Sequence, residues 1–249
     1  MDRRAVILAG GKGTRLAPYT TVLPKPLMPI GDRAILDVVV RQLASHGYGR
    51  LTFAVGYLAH LVKAVFADGS AWDVTIEYHE EEQPLGTAGP LAQVDGLQET
   101  FLAMNGDVLT TLDYAELFEV HRRAGNALTI ATHYRTVRTE YGVLHVDGAH
   151  GETGRVTGYE EKPELEYTVS MGVYVVEPAA LAYIPPDRRF DIPDLVLALI
   201  DGGEPVGSYL FDGYWLDIGR HDDYEQALAD YEQILPRLLR TDAGPGQTP

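Results

Sequence analysis

The chain has 249 residues, no cysteine, 45% hydrophobic residues and a formal net charge of −16. That length and apolar content suffice for one sizeable core, and the missing cysteines exclude disulfides, thiolate nucleophiles and cysteine metal sites. The acidic balance argues against non-specific nucleic-acid or membrane binding, which needs a basic footprint, and no apolar run reaches the roughly 18 residues of a membrane span.

Two arginines near the start precede only a short apolar stretch, 6–9, so no signal peptide is expected and the chain reads as cytoplasmic. Residues 5–9 form an apolar run closed by Gly10-Gly11, the pattern of a buried parallel strand entering a loop. Apolar positions 35, 36, 39, 40 and 43 predict a helix over 34–46, ended by Gly47. A strand at 51–55, a helix at 58–66 and an alternating strand at 74–78 come next. A helix at 88–94 precedes a strand at 101–104 that runs into Asn105-Gly106-Asp107. Asp113, with Glu116 three residues on, predicts the N-cap of a helix over 113–123, before a strand at 128–132.

This alternation predicts an α/β fold, a Rossmann-like mixed, mostly parallel sheet flanked by helices. The second half is richer in strand, at 143–146, 156–160, 169–176 and 207–211, with helices at 178–183, 193–201 and 222–240. The Gly/Pro/Gln-rich 241–249 reads as a disordered tail, and nothing splits 1–240, which reads as one domain.

Chemistry concentrates in a few places. Of four lysines, Lys12, Lys25 and Lys162 stand beside glycine or proline in loop-like contexts, and Lys63 does not. Gly10, Gly11 and Gly13 let the backbone approach a ligand beyond the first strand, and Arg15 offers a donor fork for phosphate. A tight turn with a surface arginine explains the same residues. Two prolines stiffen the backbone around Lys25, which suits a positioned cation better than a solvated one. Asp107 at a strand end and Asp217 in an apolar segment suit magnesium, but either could equally serve as a cap or turn residue.

Gly10-Gly11-Lys12-Gly13-Thr14-Arg15-Leu16, then Pro18, then Leu23-Pro24-Lys25-Pro26-Leu27, resembles the signature of the sugar-phosphate nucleotidyltransferases. The likeness continues to about residue 225. It implies an enzyme that joins a nucleoside triphosphate to a sugar 1-phosphate with Mg²⁺. A nucleotide-binding part would span about 1–135 and a sugar-binding part about 136–225, with no left-handed β-helix domain beyond.

By this resemblance Arg15, Lys25 and Asp107 are catalytic, and Asp107 and Asp217 hold the metal. Leu8, Ala9, Gly10, Gly11, Gly13 and Thr14 join Arg15 and Lys25 around the nucleotide. Gln83, Pro84, Gly86, Thr87 and Ala88 lie against the base, although a plain loop with Thr87 capping the next helix fits equally. Asn105, Gly106, Tyr141, Gly142, Glu160, Lys162, Ser170, Gly172 and Trp215 bind the sugar phosphate. For Glu160-Glu161-Lys162 a solvated charge run is the alternative. Ser170 departs from the family's usual asparagine, which leaves the sugar undetermined.

Leu85-Gly86-Thr87-Ala88-Gly89 is most similar to the guanylyltransferases, favouring GTP with a mannose- or heptose-type sugar 1-phosphate. A thymidylyl-, uridylyl-, cytidylyl- or adenylyltransferase acting on glucose 1-phosphate is the alternative. A regulatory subunit that binds without catalysis is disfavoured, because Arg15, Lys25, Asp107, Lys162 and Asp217 are all present. The oligomeric state is left open, a homo-oligomer included. No histidine spacing suits zinc, and neither a G-x-S-x-G elbow nor a G-x-G-x-x-G loop occurs.

Overall fold

The computed structural model describes residues 3–81, 83–148, 153–186 and 188–239. The expected helix end at 240 and the tail 241–249 lie outside them. The chain opens with strand β1 (Arg4–Ala9), and the short β2 (Pro29–Ile30) and β3 (Arg33–Ala34) lead into helix α1 (Ile35–Ser45). Then come β4 (Arg50–Val55), α2 (Ala59–Phe66), β5 (Thr75–Glu80), α3 (Gly89–Gln93), β6 (Phe101–Asn105), β7 (Val108–Thr110) and α4 (Tyr114–Ala124). The second half contains β8 (Leu128–Arg138), β9 (Val143–Asp147), β10 (Arg155–Glu160), β11 (Glu164–Val176), α5 (Ile192–Asp201), β12 (Val206–Leu210), β13 (Trp215–Asp217) and α6 (His221–Leu238).

Seven strands form one sheet in the order β12-β8-β11-β6-β1-β4-β5. The pairs β6–β1, β1–β4, β4–β5 and β8–β12 are parallel, and β11 alone runs against both its neighbours. The sheet is therefore mixed and mostly parallel, as the alternation of elements implied. Strands β1, β4 and β6 are buried almost throughout because both sheet faces are covered.

Helices α1, α2 and α4 close one face around Phe53, Phe66 and Tyr114, and α3 and α5 close the other around Phe101, Leu91 and Leu195. A third core joins α6 to the first loop through Leu16, Met28, Ile30, Ile218 and Tyr224. Asp113 caps α4 as expected, its carboxylate accepting from the Ala115 and Glu116 amides at 2.9 and 3.0 Å. No helix among the described residues is long and apolar enough to cross a membrane.

Three differences from the expected elements bear on function. β8 and β11 run well beyond 128–132 and 169–176. Their extra residues, 133–138 and 164–168, pair as a mostly exposed ribbon whose mixed polar and apolar sequence carries no burial pattern. Residues 178–183 form a 3₁₀ turn instead of an α-helix, and Pro185-Pro186, one residue beyond it, remove donors needed to extend it. The three-residue strands β7 and β13 are too short to show in periodicity. They pair antiparallel with Asp217 opposite Val108, and Ile218 N–H donates to Asp107 O at 3.2 Å. That pairing brings Asp217 beside Asp107 across a long stretch of chain.

Candidate active site

β6, β1, β4 and β5 are consecutive parallel strands, and all four finish at one edge of the sheet. The residues just past each strand line one open cleft of about 590 Å³: Gly106-Asp107 after β6, Gly10-Gly11 after β1, Gly56-Tyr57 after β4 and Glu81 after β5. Ligands of open α/β sheets bind beyond the strands' carboxyl ends, where the loops are free to differ.

The glycine loop folds back over this edge. Leu16 is fully buried in the third core, and the Thr20 hydroxyl donates to Gly13 O at 2.8 Å, so the loop has a fixed course. A Cβ at Gly10 would lie 2.3 Å from Glu81 Oε1, so a larger residue there would have to push the end of the Glu81 side chain aside. Lys12, Arg15 and Lys25 bring three cations to the cleft.

Lys25 begins a 3₁₀ turn, with Pro24 in extended backbone on one side and the buried Pro26 on the other. Its ammonium donates to Asp107 Oδ2 in an ion pair that is only partly accessible to water. The second oxygen, Asp107 Oδ1, is buried and has no hydrogen-bond partner among the described residues. Asp217 presents an exposed side chain, yet the protein surrounding its carboxyl raises its pKa, and the Asp107 carboxylate raises it further. Lys25 and Arg15 act the other way. Two carboxylates thus compete for the same positive charge.

At the far end of the cleft the loop 83–89 is clasped by the segment before α5. The Phe190 carbonyl accepts the Ala88 and Gly89 amides at 3.0 Å, and Phe190 N–H donates to Leu85 O at 2.8 Å. Asp191 Oδ1 accepts the Thr87 amide at 2.9 Å. The Thr87 hydroxyl accepts from the amide of Ile192, so Thr87 caps α5 and not the following α3. Gly86 has φ +84°, and a Cβ there would lie 2.6 Å from Asp191 Oδ1 and 2.7 Å from Phe190 O, so only glycine fits. Glu81 Oε2 accepts the Leu85 amide at 3.1 Å, and burial pushes the Glu81 pKa up.

Leu8, Ala9, Gly10, Gly11, Gly13, Arg15, Lys25, Pro84, Gly86, Thr87, Asn105, Gly106 and Asp107 therefore share the cleft wall. Thr14, Gln83 and Ala88 are not part of it: the first two are exposed, and Ala88 is wholly buried in the core beneath.

Ser170, Gly172 and Trp215 cluster next to it. Gly172 packs against the Asn105 amide, Ser170 Oγ lies 3.0 Å from the Tyr174 hydroxyl, and Trp215 Nε1 donates to Met171 O at 3.0 Å. Tyr141, Gly142, Glu160 and Lys162 stand around the β9–β10 hairpin and do not line the cleft. Lys162 has φ +46°, a left-handed backbone that a lysine rarely adopts.

Sequence reading passed over Glu81, Arg189 and Asp191, all in the cleft wall. Glu81 hides in a Glu80-Glu81-Glu82 run that looks like a solvated face, and Asp191 looks like the helix cap that it also is.

The glycine loop, the cations Lys12, Arg15, Lys25 and Arg189, and Asp107 meet at the carboxyl edge of a parallel sheet, with Asp217 beside Asp107. The chain belongs to the nucleotidyl transferase family, whose model matches residues 4–234. It is 33% identical over 98% of its length to a UTP–glucose-1-phosphate uridylyltransferase of Synechocystis sp., covering 66% of that protein. It is 34% identical over 91% of its length to a mannose-1-phosphate guanylyltransferase of Mycobacterium tuberculosis, covering 64% of it. The chain thus spans about two thirds of the length of these relatives. Its fold matches the crystal structure of HddC from Yersinia pseudotuberculosis with a TM-score of 0.69 and 24% identity, over 92% of this chain and 99% of that one.

Proposed function

We propose that this chain is a sugar-1-phosphate nucleotidyltransferase. A phosphate oxygen of the sugar 1-phosphate attacks the α-phosphorus of a nucleoside triphosphate, the bond to the β-phosphate breaks, and pyrophosphate leaves. The observation that carries this reading is the meeting of Lys25, Asp107 and Asp217 under the glycine loop. The attacking oxygen is already anionic, so no general base is needed, and catalysis is positioning and charge stabilisation. Arg15, Lys25 and Lys12 hold the triphosphate, and the Gly11 and Gly13 backbone lies against it. Lys162, Asn105 and Ser170 serve the sugar phosphate and sugar. The part up to about residue 135 holds the nucleotide, and about 136–225 holds the sugar.

The residues fit Mg²⁺. Asp107 Oδ1 is a buried oxygen in want of a partner, Asp217 is a carboxylate in want of charge compensation, and both are hard donors. When bound between Asp107 and Asp217, Mg²⁺ would neutralise the meeting anions and stabilise charge at the reacting phosphoryl centre.

GTP with a mannose- or heptose-type sugar 1-phosphate is the favoured pair. The Mycobacterium relative is named for mannose 1-phosphate and guanylyl transfer, and the Yersinia fold neighbour was also crystallised with GMP-PN. Uridylyl transfer to glucose 1-phosphate is the second reading, carried by the name of the Synechocystis relative.

The test is pyrophosphate release with Mg²⁺ from GTP, UTP, dTTP, CTP and ATP against a panel of sugar 1-phosphates. Release that depends on one sugar phosphate and stops with EDTA supports the reading. A folded protein that binds nucleotide but releases nothing with any pair would sink it in favour of a binding subunit.

A further inference from the structure

Asp107 and Asp217 stand at the same end of one small clip of chain. β7 begins directly after Asp107, and β13 ends on Asp217. The two strands pair over three residues each, with Val108 opposite Asp217 at one end and Thr110 opposite Trp215 at the other. A two-stranded pair of that length is not stable by itself in water. Whatever fixes the clip therefore fixes how the two carboxylates meet.

The end of the clip away from the carboxylates is latched. Gln42 Nε2 of α1 donates to Thr110 O at 2.7 Å. Thr110 Oγ1 donates to Tyr214 O at 2.9 Å, and the Thr111 amide donates to the same carbonyl at 3.0 Å. The Tyr214 amide donates to Thr111 Oγ1 at 3.2 Å. These bonds run from α1 through β7 to the residue that enters β13.

Gln42 is out of keeping with its surroundings. It is 1% exposed, and every other buried residue of α1 is apolar. Burying an amide costs free energy that its hydrogen bonds must offset. Gln42 Oε1 has no partner among the described residues, so the bond to Thr110 is what this amide contributes. Leu36, Val39 and Leu43 of the same helix are fully buried in the first core, which makes α1 a fixed point from which to hold a strand.

We propose that Gln42 is a positioning residue for the Asp107–Asp217 pair; this rests on those two carboxylates being the protein ligands of Mg²⁺. Through Thr110 O it holds β7 against α1. Asp107 lies three residues, or about 10 Å, back along the same strand, so its place beside Asp217 is held with it. Mg²⁺ demands a nearly ideal arrangement of oxygens. Groups that orient metal ligands from behind commonly govern metal affinity by about 10–100-fold.

Mn²⁺ is the probe, because it takes the same kind of oxygen ligands and its binding to the full chain is read from water-proton relaxation. Gln42→Met keeps the bulk and removes the donor. It is expected to weaken Mn²⁺ binding about 10-fold. The Mg²⁺ concentration for half-maximal pyrophosphate release should rise by a similar factor, with the rate at saturating Mg²⁺ returning towards wild type. Leu199→Ala, in the core on the other face of the sheet, should lower the melting temperature and leave Mn²⁺ binding unchanged. If Gln42→Met fails to fold, Thr110→Val breaks the same latch one bond further on and should weaken Mn²⁺ binding likewise.

A folded variant of either kind that binds Mn²⁺ as tightly as wild type overturns the proposal, as does a Leu199→Ala chain that loses as much affinity. A wild-type chain that binds no Mn²⁺ overturns it together with the assignment of the metal to this pair. Mn²⁺ binding that falls as expected, without pyrophosphate release from any substrate pair, would sink the transferase reading and leave the role of Gln42 standing.

Discussion

The parallel half of the sheet and the β8–β11 ribbon with its hairpin are built on opposite principles. In the first, β1, β4 and β6 are buried strands whose ends deliver Gly10, Gly56 and Asp107 to the cleft, so each functional group stands on an element that packing fixes. In the second, β9 and β10 pair only with each other among the described residues, and Leu144, Val146, Val156 and Tyr159 remain 51–60% exposed. A lone two-stranded hairpin is marginal in water. On the proposed reading, phosphate chemistry needs groups held before substrate arrives, and the buried half is the part that would meet that requirement.

The contrast should be greatest at the charge pair. Lys25→Ala or Asp107→Asn is expected to lower turnover about 100-fold or more, as for other lost transition-state electrostatics. Lys162→Ala, on the exposed side, should act mainly through KM for the sugar phosphate. Steady-state pyrophosphate release separates the two cases, and equal losses in kcat would erase the distinction between the two regions.

Next comes the core that holds the strand ends. Phe101→Ala removes a fully buried ring and should cost about 3–5 kcal/mol in denaturant unfolding. Val146→Ala on the exposed hairpin should stay within about 0.5 kcal/mol. A comparable loss at Val146 would mean that the hairpin is covered in solution.

Gly86→Ala tests the clasp. With φ +84° and Phe190 O in the way, it should cost roughly 1 kcal/mol or more and raise KM for the nucleotide above that for the sugar phosphate.

The smallest effect concerns Asp217. Its pKa is raised in the fold by the protein surrounding its carboxyl and by Asp107, so the folded state holds its proton longer than the unfolded chain does. Whatever stability this proton supplies is complete below the ordinary carboxylate range and is lost as pH rises through the raised value. Metal-free Asp217→Asn should therefore melt about 1–3 °C above wild type at pH 7, the carboxyl being accessible enough to water to keep the gain small. The gain should vanish below about pH 4, and Mg²⁺ should raise the melting temperature of wild type but not of the variant. A lower melting temperature for the variant at pH 7 would contradict the assigned cause.

Local sequence patterns alone were enough to specify the α/β architecture and to single out the glycine loop and Lys25 that line one end of the cleft. Apolar runs of strand length, helical stripes and their glycine stops each involve only near neighbours in the chain. Gly10 to Arg15 and Pro24-Lys25-Pro26 lie close together, and their conformational demands can be read residue by residue. Asp107 and Asp217 could be named, but nothing local says that they meet.

That meeting depends on the pairing of β7 with β13, three residues each, which only the packed sheet and the third core enforce. The far end of the cleft was decided in the same way. Glu81 looks like one member of an acidic run until strand order carries it to the outer edge of the cleft and the Leu85 amide fixes its carboxylate. Arg189 and Asp191 reach the site because the chain returns from the second half to clasp the loop at 83–89. Local conformation is set by a few neighbouring side chains, whereas convergence of distant carboxylates is set by strand order and long-range pairing, and those exist only once the core has formed.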